Sequence, residues 1–327
     1  MKRLPFEKPL TELLDKIDQL KALAQSEGID LSVEIAKIEE RANMVRQELY
    51  ANLTPIDVVQ IARHPNRPDA LSLAMMITED WTELHGDRQF GDDPSIVGGI
   101  GRLGGHRVVV IGHQKGHDTK ENLHRNFGMP HPEGYRKAMR LMTLANQFQM
   151  PIITLIDTPG AYPGLTAEER GQAEAIARNL KVMAGLDVPI VSVVIGEGGS
   201  GGALGIGLSN RLFMMQYAVY SVISPEGCAS ILFRDAKKAD VAAKALRITA
   251  PDILSMGICH GIWPEPLGGA HHDWQAVATT IQSQLIHVLD GYRGWTPEQW
   301  VAERWQHFRK LGPFIENGEP ANMPSFC

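Results

Sequence analysis

Cysteine is scarce in this 327-residue chain, and the three present, Cys228, Cys259 and Cys327, lie far apart. That excludes a disulfide framework and a cysteine-based zinc site, and it predicts a reducing, cytoplasmic setting. Long apolar runs are missing as well. None reaches the roughly 18 residues of a transmembrane helix, and Met1 to Lys8 holds no apolar signal core, so no membrane insertion is expected. Positive charge is not in excess either. The net charge of −6 argues against nucleic acid as the partner. No internal repeat or low-complexity tract occurs. What the chain does have is apolar residue, 43% of the total, enough to bury one large domain or two small ones.

The stretch Val188 to Leu204 stands out. Its first half, Val188-Pro189-Ile190-Val191-Ser192-Val193-Val194-Ile195, is a β-branched run of strand length. Its second half is glycine-rich and then small and apolar, which reads as buried strand, tight turn and helix. Helix-start amides are unpaired and favour an anion. Glycines at 198, 199, 201 and 202 let a ligand touch backbone directly. Three chemical readings overlap here. Gly196-Glu197-Gly198-Gly199-Ser200-Gly201 satisfies a dinucleotide-binding GxGxxG. Gly198 to Gly202 satisfies the GxSxG nucleophile elbow. The third is a bare oxyanion hole made by the Gly201 and Gly202 amides. A turn that merely packs is the bland alternative. The dinucleotide reading wants an acid about 20 residues on, at the end of the next strand. The next acid, Glu226, instead follows Ser224-Pro225. The hydrolase reading needs a later acid and a histidine, which composition supplies.

The rest of the chain predicts parallel α/β architecture with ligand loops at strand ends. Apolar spacing predicts a helical hairpin over 9–50, with a coiled-coil-like seam through Leu31, Ile35, Ile38, Ala42, Val45 and Leu49, capped by Asp30. Helices broken by Pro55, Pro65 and Pro68 follow, the last opening at Asp69 and running through Trp81. Ser95 to His113 reads as a hairpin turning at Gly104-Gly105. A polar loop, His117 to Pro132, precedes a helix from Glu133 to about Phe148, with Arg136, Lys137 and Arg140 outward. A strand over 151–156 ends in Asp157-Thr158-Pro159-Gly160-Ala161, exposing the Gly160 and Ala161 amides. Thr166 and Glu169 form a capping box for a helix to about Ala184. Short strands are expected at 212–217, 220–223 and 258–263, and helices from Ser224 and over 237–257, 273–290 and 297–310. A loose tail is expected from Gly312.

In order, the blocks Gly112-His113-Gln114-Lys115-Gly116, Arg125-Asn126-Phe127-Gly128-Met129-Pro130, Pro132-Glu133-Gly134-Tyr135-Arg136-Lys137-Ala138, Ile156 to Gly164, Gly196 to Ala203 and Ser221 to Ser230 resemble one family. It is the carboxyltransferase α subunit of multisubunit acetyl-CoA carboxylase, and the resemblance spans roughly residues 5–290. It implies a crotonase-like (ClpP/crotonase) α/β fold of repeated ββα units, preceded by the N-terminal hairpin. Residues 1–55 would form that hairpin, a subunit-docking element, residues 56–311 the carboxyltransferase domain, and 312–327 the tail.

The resemblance further implies transfer of a carboxyl group from carboxybiotin, presented by a biotin carboxyl carrier protein, to acetyl-CoA, giving malonyl-CoA for fatty-acid synthesis. It implies a β subunit in an α2β2 assembly, with biotin carboxylase completing the ATP-dependent holoenzyme. Zinc belongs to the β subunit, so no metal is expected here and no cofactor is covalently bound. Negative charge develops on the biotin ureido oxygen and on the thioester oxygen. Fixed backbone amides stabilise such oxygens, at roughly 10²–10³ in rate for one donor. The expected oxyanion donors are Gly201 and Gly202, with Gly160 and Ala161 as a second pair. Lys115, Arg125, Asn126, Phe127, Gly199 and Ala203 are the expected substrate-binding positions. Two alternatives stand beside this: a serine hydrolase using Ser200, and a non-catalytic scaffold subunit.

Overall fold

The computed structural model describes residues 3–312, 315–316 and 319–320. The N-terminal stripes close on one another. Helix α1 (Lys8–Glu27) ends at Gly28, whose φ of 68° suits the left-handed cap, and α2 (Ser32–Ala51) returns along it. Leu10, Ile17 and Ala42 are buried between them, with Ile35, Ile38, Val45 and Leu49 packed around, so the seam forms at the spacing the sequence shows. Asp30 Oδ1 accepts from the Ser32 N–H. At the far end of α2 the Tyr50 hydroxyl lies 2.9 Å from both Glu7 Oε1 and Gly268 O. Its ring meets Tyr217 edge-on, which ties the hairpin to the body.

Helices α3 (Pro55–Ala62) and α4 (Ala70–Ile77) follow, capped by Thr54 and Asp69. The expected continuation of α4 through Trp81 does not form. The chain turns extended at Thr78, and Glu79–Glu83 is strand β1, antiparallel to β2 (Ile96–Leu103). Gly99 permits this: a Cβ there would sit 2.2 Å from Thr82 O. β2 and β3 (His106–His113) form the expected hairpin, with φ of 54° at Gly104 and 87° at Gly105. The 117–132 stretch is not all loop, because Asp118 caps a short helix, α5 (Thr119–His124). In α6 (Pro132–Gln147) the inward face is Ala138, Leu141, Met142 and Ala145, as the spacing predicts. Lys137 is inward too, against expectation, since its ammonium bonds Asp92 Oδ1 and Asp93 O.

Strand β4 (Ile152–Thr158) leads to α7 (Leu165–Glu169) and α8 (Gln172–Ala184). One helix was expected there. The break comes at Gly171, φ 84°, and α7 starts after Gly164, so the Thr166 box is not used. Strand β5 (Ile190–Gly199), helix α9 (Ser200–Gly207), β6 (Arg211–Met215) and β7 (Val219–Ser221) come next. Helix α10 (Pro225–Phe233) is capped by Ser224. The helix expected over 237–257 is two, α11 (Ala239–Leu246) and α12 (Ala250–Ser255), parted at Arg247 with φ 52°. The last sheet strand, β8 (Gly261–Trp263), is shorter than expected, and α13 (Trp274–Gly291) and α14 (Pro297–Lys310) close the body. Beyond Gly312, β9 (Ile315–Glu316) pairs with β10 (Glu319–Pro320). The rest of the expected loose tail lies outside the described residues.

Among the described residues, eight strands form one sheet in the order β1-β2-β3-β4-β5-β6-β8, with β7 beside the end of β5. β1 to β3 run antiparallel, and β3, β4, β5, β6 and β8 run parallel. β4 is buried along its whole length and β5 along nearly all of it, as apolar runs covered on both faces must be. The carboxyl ends of β3, β4 and β5 therefore share one edge of the body.

Arg304 of α14 holds the approach to β5. Only 1% exposed, it donates to Met183 O, Leu186 O, Val188 O and the Asn210 side-chain carbonyl. Nothing in the local pattern of α14 marks it as buried. Arg304→Leu should lower unfolding free energy by about 3 kcal/mol or more, because buried carbonyls that lose a donor cost about 1–3 kcal/mol each. Urea denaturation of the purified chain measures this, and a loss under 1 kcal/mol would contradict it.

Candidate active site

β5 passes into α9 without an intervening loop. Gly199 is the N-cap, no side chain caps the helix, and the first-turn amides of Ser200, Gly201 and Gly202 have no intrahelical acceptor. The left-handed residue of this turn is Ser200, φ 49°, and neither Gly201 nor Gly202 has a positive φ. Glycine is needed for space instead. A Cβ on Gly199 would lie 2.2 Å from Pro159 O, and one on Gly202 would lie 2.5 Å from Gly160 C and 2.9 Å from Ala161 N. The turn after β4 is thus laid against the glycine turn after β5. At Gly201 a Cβ would meet only Ile176 Cδ1, at an ordinary 3.5 Å. Within the turn after β4 the Gly160 N–H is taken by Thr158 Oγ1 at 3.0 Å, which leaves Ala161 as the donor of that expected pair. Ala203 is buried behind the first turn.

Charge holds these two turns in register. Lys115 Nζ, just past β3, lies 2.7 Å from Asp157 Oδ1 and 2.8 Å from Glu197 Oε2. Asp157 Oδ1 also accepts from the Glu197 N–H, bridging β4 to β5 where their register shifts. Arg63, at the end of α3, donates to Glu197 Oε1 at 2.5 Å and to Glu226 of α10 at 2.6 Å. Burial would push the Glu197 carboxyl up, but Lys115 and Arg63 outweigh it and hold the pKa at about 2. Burial likewise opposes the charge on Lys115, and the attraction of Asp157 and Glu197 overcomes it and raises its pKa. Glu197 thus adds stability that is present above the ordinary glutamate range and lost only as pH falls toward 2. Arg63, Pro159, Glu197, Gly198 and Gly199 line a small pocket at the strand ends.

The 125–131 segment lies beside this edge. Asn126, Phe127 and Gly128 all have positive φ, and a Cβ on Gly128 would lie 3.3 Å from Asp157 O. Arg125 donates to Pro94 O, and the Asn126 amide bonds the His131 ring, so both anchor the segment. Phe127 is 47% exposed. The structure therefore gathers Lys115, Gly160, Ala161, Gly199, Gly201 and Gly202 at one edge, with the Phe127 segment adjoining. The Lys115 ammonium is committed to two carboxylates. Sequence reading had no means to select Arg63, Glu226 or the Asp157–Glu197 bridge, which meet only through the fold. Ser200 is exposed at a strand-to-helix turn, as a nucleophile would be. The imidazole that bonds this turn, His113, bonds Gly202 O and not the Ser200 hydroxyl. A serine hydrolase requires a base aimed at the hydroxyl, and His113 is aimed at a carbonyl instead.

The fold is shared with a transcarboxylase and a malonate decarboxylase of solved structure. Transcarboxylase 12S, with hydrolyzed methylmalonyl-coenzyme A bound, aligns at TM-score 0.58 and 17% identity over 81% of this chain, which spans 48% of that chain. A Pseudomonas malonate decarboxylase hetero-tetramer in complex with coenzyme A aligns at TM-score 0.55 and 17% identity, over 66% of this chain and 86% of that one. These likenesses show the fold, a crotonase-like α/β fold. The family profile described as acetyl co-enzyme A carboxylase carboxyltransferase-like matches residues 3–312. Acetyl-coenzyme A carboxylase carboxyl transferase subunit alpha of Nostoc punctiforme is 54% identical over 313 residues, 96% of each chain. That of Thermus thermophilus is 54% identical over 96% of this chain and 99% of its own. The chain belongs to the acetyl co-enzyme A carboxylase carboxyltransferase-like family.

Lys115→Met would leave Asp157 and Glu197 facing each other. The expected loss is about 3–5 kcal/mol at pH 7, the usual result of removing one partner from a buried pair. Because one carboxyl can then take a proton, the deficit should shrink as pH falls toward 5. Urea titrations at both pH values test this, and an equal deficit at both would contradict it.

Proposed function

We propose that this chain is the α subunit of a biotin-dependent acetyl-CoA carboxylase carboxyltransferase, transferring the carboxyl group of carboxybiotin to acetyl-CoA. Malonyl-CoA for fatty-acid synthesis is the product. The observation that carries the site assignment is the uncapped first turn of α9, backed at Gly202 by the Pro159–Ala161 turn. Carboxybiotin, when presented, supplies an activated carboxyl group and a ureido oxygen that becomes basic as the carboxyl leaves. An open turn of donor amides without side chains fits such a neutral, oxygen-bearing ring. Gly201 and Gly202 N–H groups donate to the oxygen that gains charge, and they do so without reorganising. Ala161 N–H adds a donor from the opposing turn. Gly199 keeps the approach free of side chains, and Phe127 offers a ring face at the edge. Arg125 and Asn126 set that ring, while Lys115 holds the two turns in register rather than touching substrate.

The partners follow from the same reading. A β subunit in an α2β2 assembly completes the site and carries the zinc, a biotin carboxyl carrier protein delivers the carboxyl group, and biotin carboxylase charges it. Residues 1–55 dock on the partner, supported by the hairpin's own small core and by the exposed Leu23, Val33 and Met44 on its outer faces. Residues 56–311 are the carboxyltransferase domain. The setting is cytoplasmic; among the described residues no helix is long and apolar enough to cross a membrane.

Gly201→Ala is the discriminating variant, since its Cβ strains nothing in the chain. The N–H is kept, but the added methyl should crowd the space where the ureido oxygen approaches the amides, so with the β subunit present malonyl-CoA formation should fall about 10-fold or more in kcat with the melting temperature unchanged. Gly202→Val should abolish turnover and also displace the opposing turn. Wild-type kcat for Gly201→Ala would show that the ureido oxygen does not approach across Gly201 and would overturn this placement of the ligand.

Ser200→Gly separates this from hydrolysis. It should keep most carboxyltransferase activity and relieve the left-handed strain at that position. A fall of about 10⁴, the scale of losing a triad member, would instead make Ser200 a nucleophile.

A further inference from the structure

His113 closes β3 with its ring fully buried, and its Nε2 lies 3.1 Å from Gly202 O. A carbonyl only accepts, so Nε2 carries the hydrogen, and full burial disfavours a second proton on the ring. Nδ1 is then a bare acceptor, buried and without a partner among the described residues. Leucine or phenylalanine would fill this space without stranding a nitrogen. Packing does not account for an imidazole here, whereas the bond to Gly202 does.

We propose that His113 is a positioning residue for carboxyl transfer, orienting the first turn of α9 by holding the Gly202 carbonyl. This rests on the oxyanion reading of that turn. Glycines at 198, 199, 201 and 202 have the greatest backbone freedom of any residue and no side chains by which to be held. Their orientation must come from outside. The Pro159–Ala161 turn presses on one side of Gly202, and His113 grips its carbonyl. Together they fix the direction in which the Gly201 and Gly202 amides point.

The ring acts only as a donor. Burial pushes its pKa down to about 3, and the positive charge of Lys115 adds to this while the Gly202 bond opposes it. The charged groups nearest it are Lys115 and, through Lys115, Asp157 and Glu197. His113 therefore stays neutral through the working pH range and contributes no limb to a pH–rate profile.

The test uses the full chain assembled with the β subunit and follows malonyl-CoA formation from carboxybiotin and acetyl-CoA. His113→Leu removes the donor and keeps the bulk. Its kcat should fall about 10- to 100-fold, short of the loss of an oxyanion donor itself, with KM within about twofold. His113→Gln places an amide N–H where Nε2 stood and should recover most of that rate. His113→Asn, too short to reach Gly202 O, should stay slow. The pH profile of the Gln variant should match wild type in shape. Wild-type kcat in the Leu variant, equal rates for Gln and Asn, a loss confined to KM, or a vanished limb in the profile would each overturn the proposal. If the Leu variant fails to assemble, the Gln and Asn comparison decides alone. A wild-type complex that makes no malonyl-CoA would refute the assigned function instead, which keeps the two failures apart.

Discussion

The Lys115 ammonium, held between Asp157 and Glu197, is the contact on which the active edge depends. The β4–β5 ladder shifts register between Ile156 and Thr158, just where the two turns begin, so these strand ends need a hold beyond the backbone pairing. Here three strand ends and two helices are joined by charge: β3 through Lys115, β4 through Asp157, β5 through Glu197, α3 through Arg63 and α10 through Glu226. Desolvating these groups is costly, and each is paired or bridged in compensation. Breaking such a network at one member is costly, and in this fold it joins strand ends and helices that are far apart in sequence.

That arrangement serves a turn that cannot organise itself. The glycines after β5 are there because backbone from the turn after β4 occupies the space a side chain would take. Their freedom would be a liability for catalysis, which needs donors already aimed. The surrounding chain removes it with a steric wall at Pro159–Ala161, a hydrogen bond from His113 and the charged bridge beneath. The strain that remains sits on Ser200, a non-glycine residue in the left-handed region at the strand-to-helix junction.

The same logic separates carboxyl transfer from hydrolysis on a similar local motif. A GxSxG turn presents a serine in both cases. A hydrolase needs an imidazole aimed at the hydroxyl, and here the nearby imidazole is aimed at a backbone carbonyl, with its pKa pushed down by burial. On the reading proposed above, the chemistry falls to amides, which suits a reaction whose difficulty is charge accumulating on an oxygen.

By itself the sequence determined the elements with strong period and their order: the heptad-like seam of α2, the Gly104-Gly105 hairpin, the inward face of α6 and the strand–glycine–helix unit from Ile190 to Gly207. It also determined the family, because several blocks in order are specific where any one glycine motif is not. Local propensity misjudged the places where distant contacts intervene. β1 is a strand because Gly99 admits Thr82, α7 and α8 part at Gly171, and Lys137 faces inward to meet Asp92 and Asp93. In the candidate site, the sequence singled out the glycines but not what packs against them. Only the tertiary structure decided that Gly202 is required by the turn after β4, that Gly201 is not, that Gly160 spends its amide on Thr158, and that Lys115, His113 and Arg63 support the turn. Those roles arise between residues tens of positions apart, and no local pattern encodes a partner that only folding brings near.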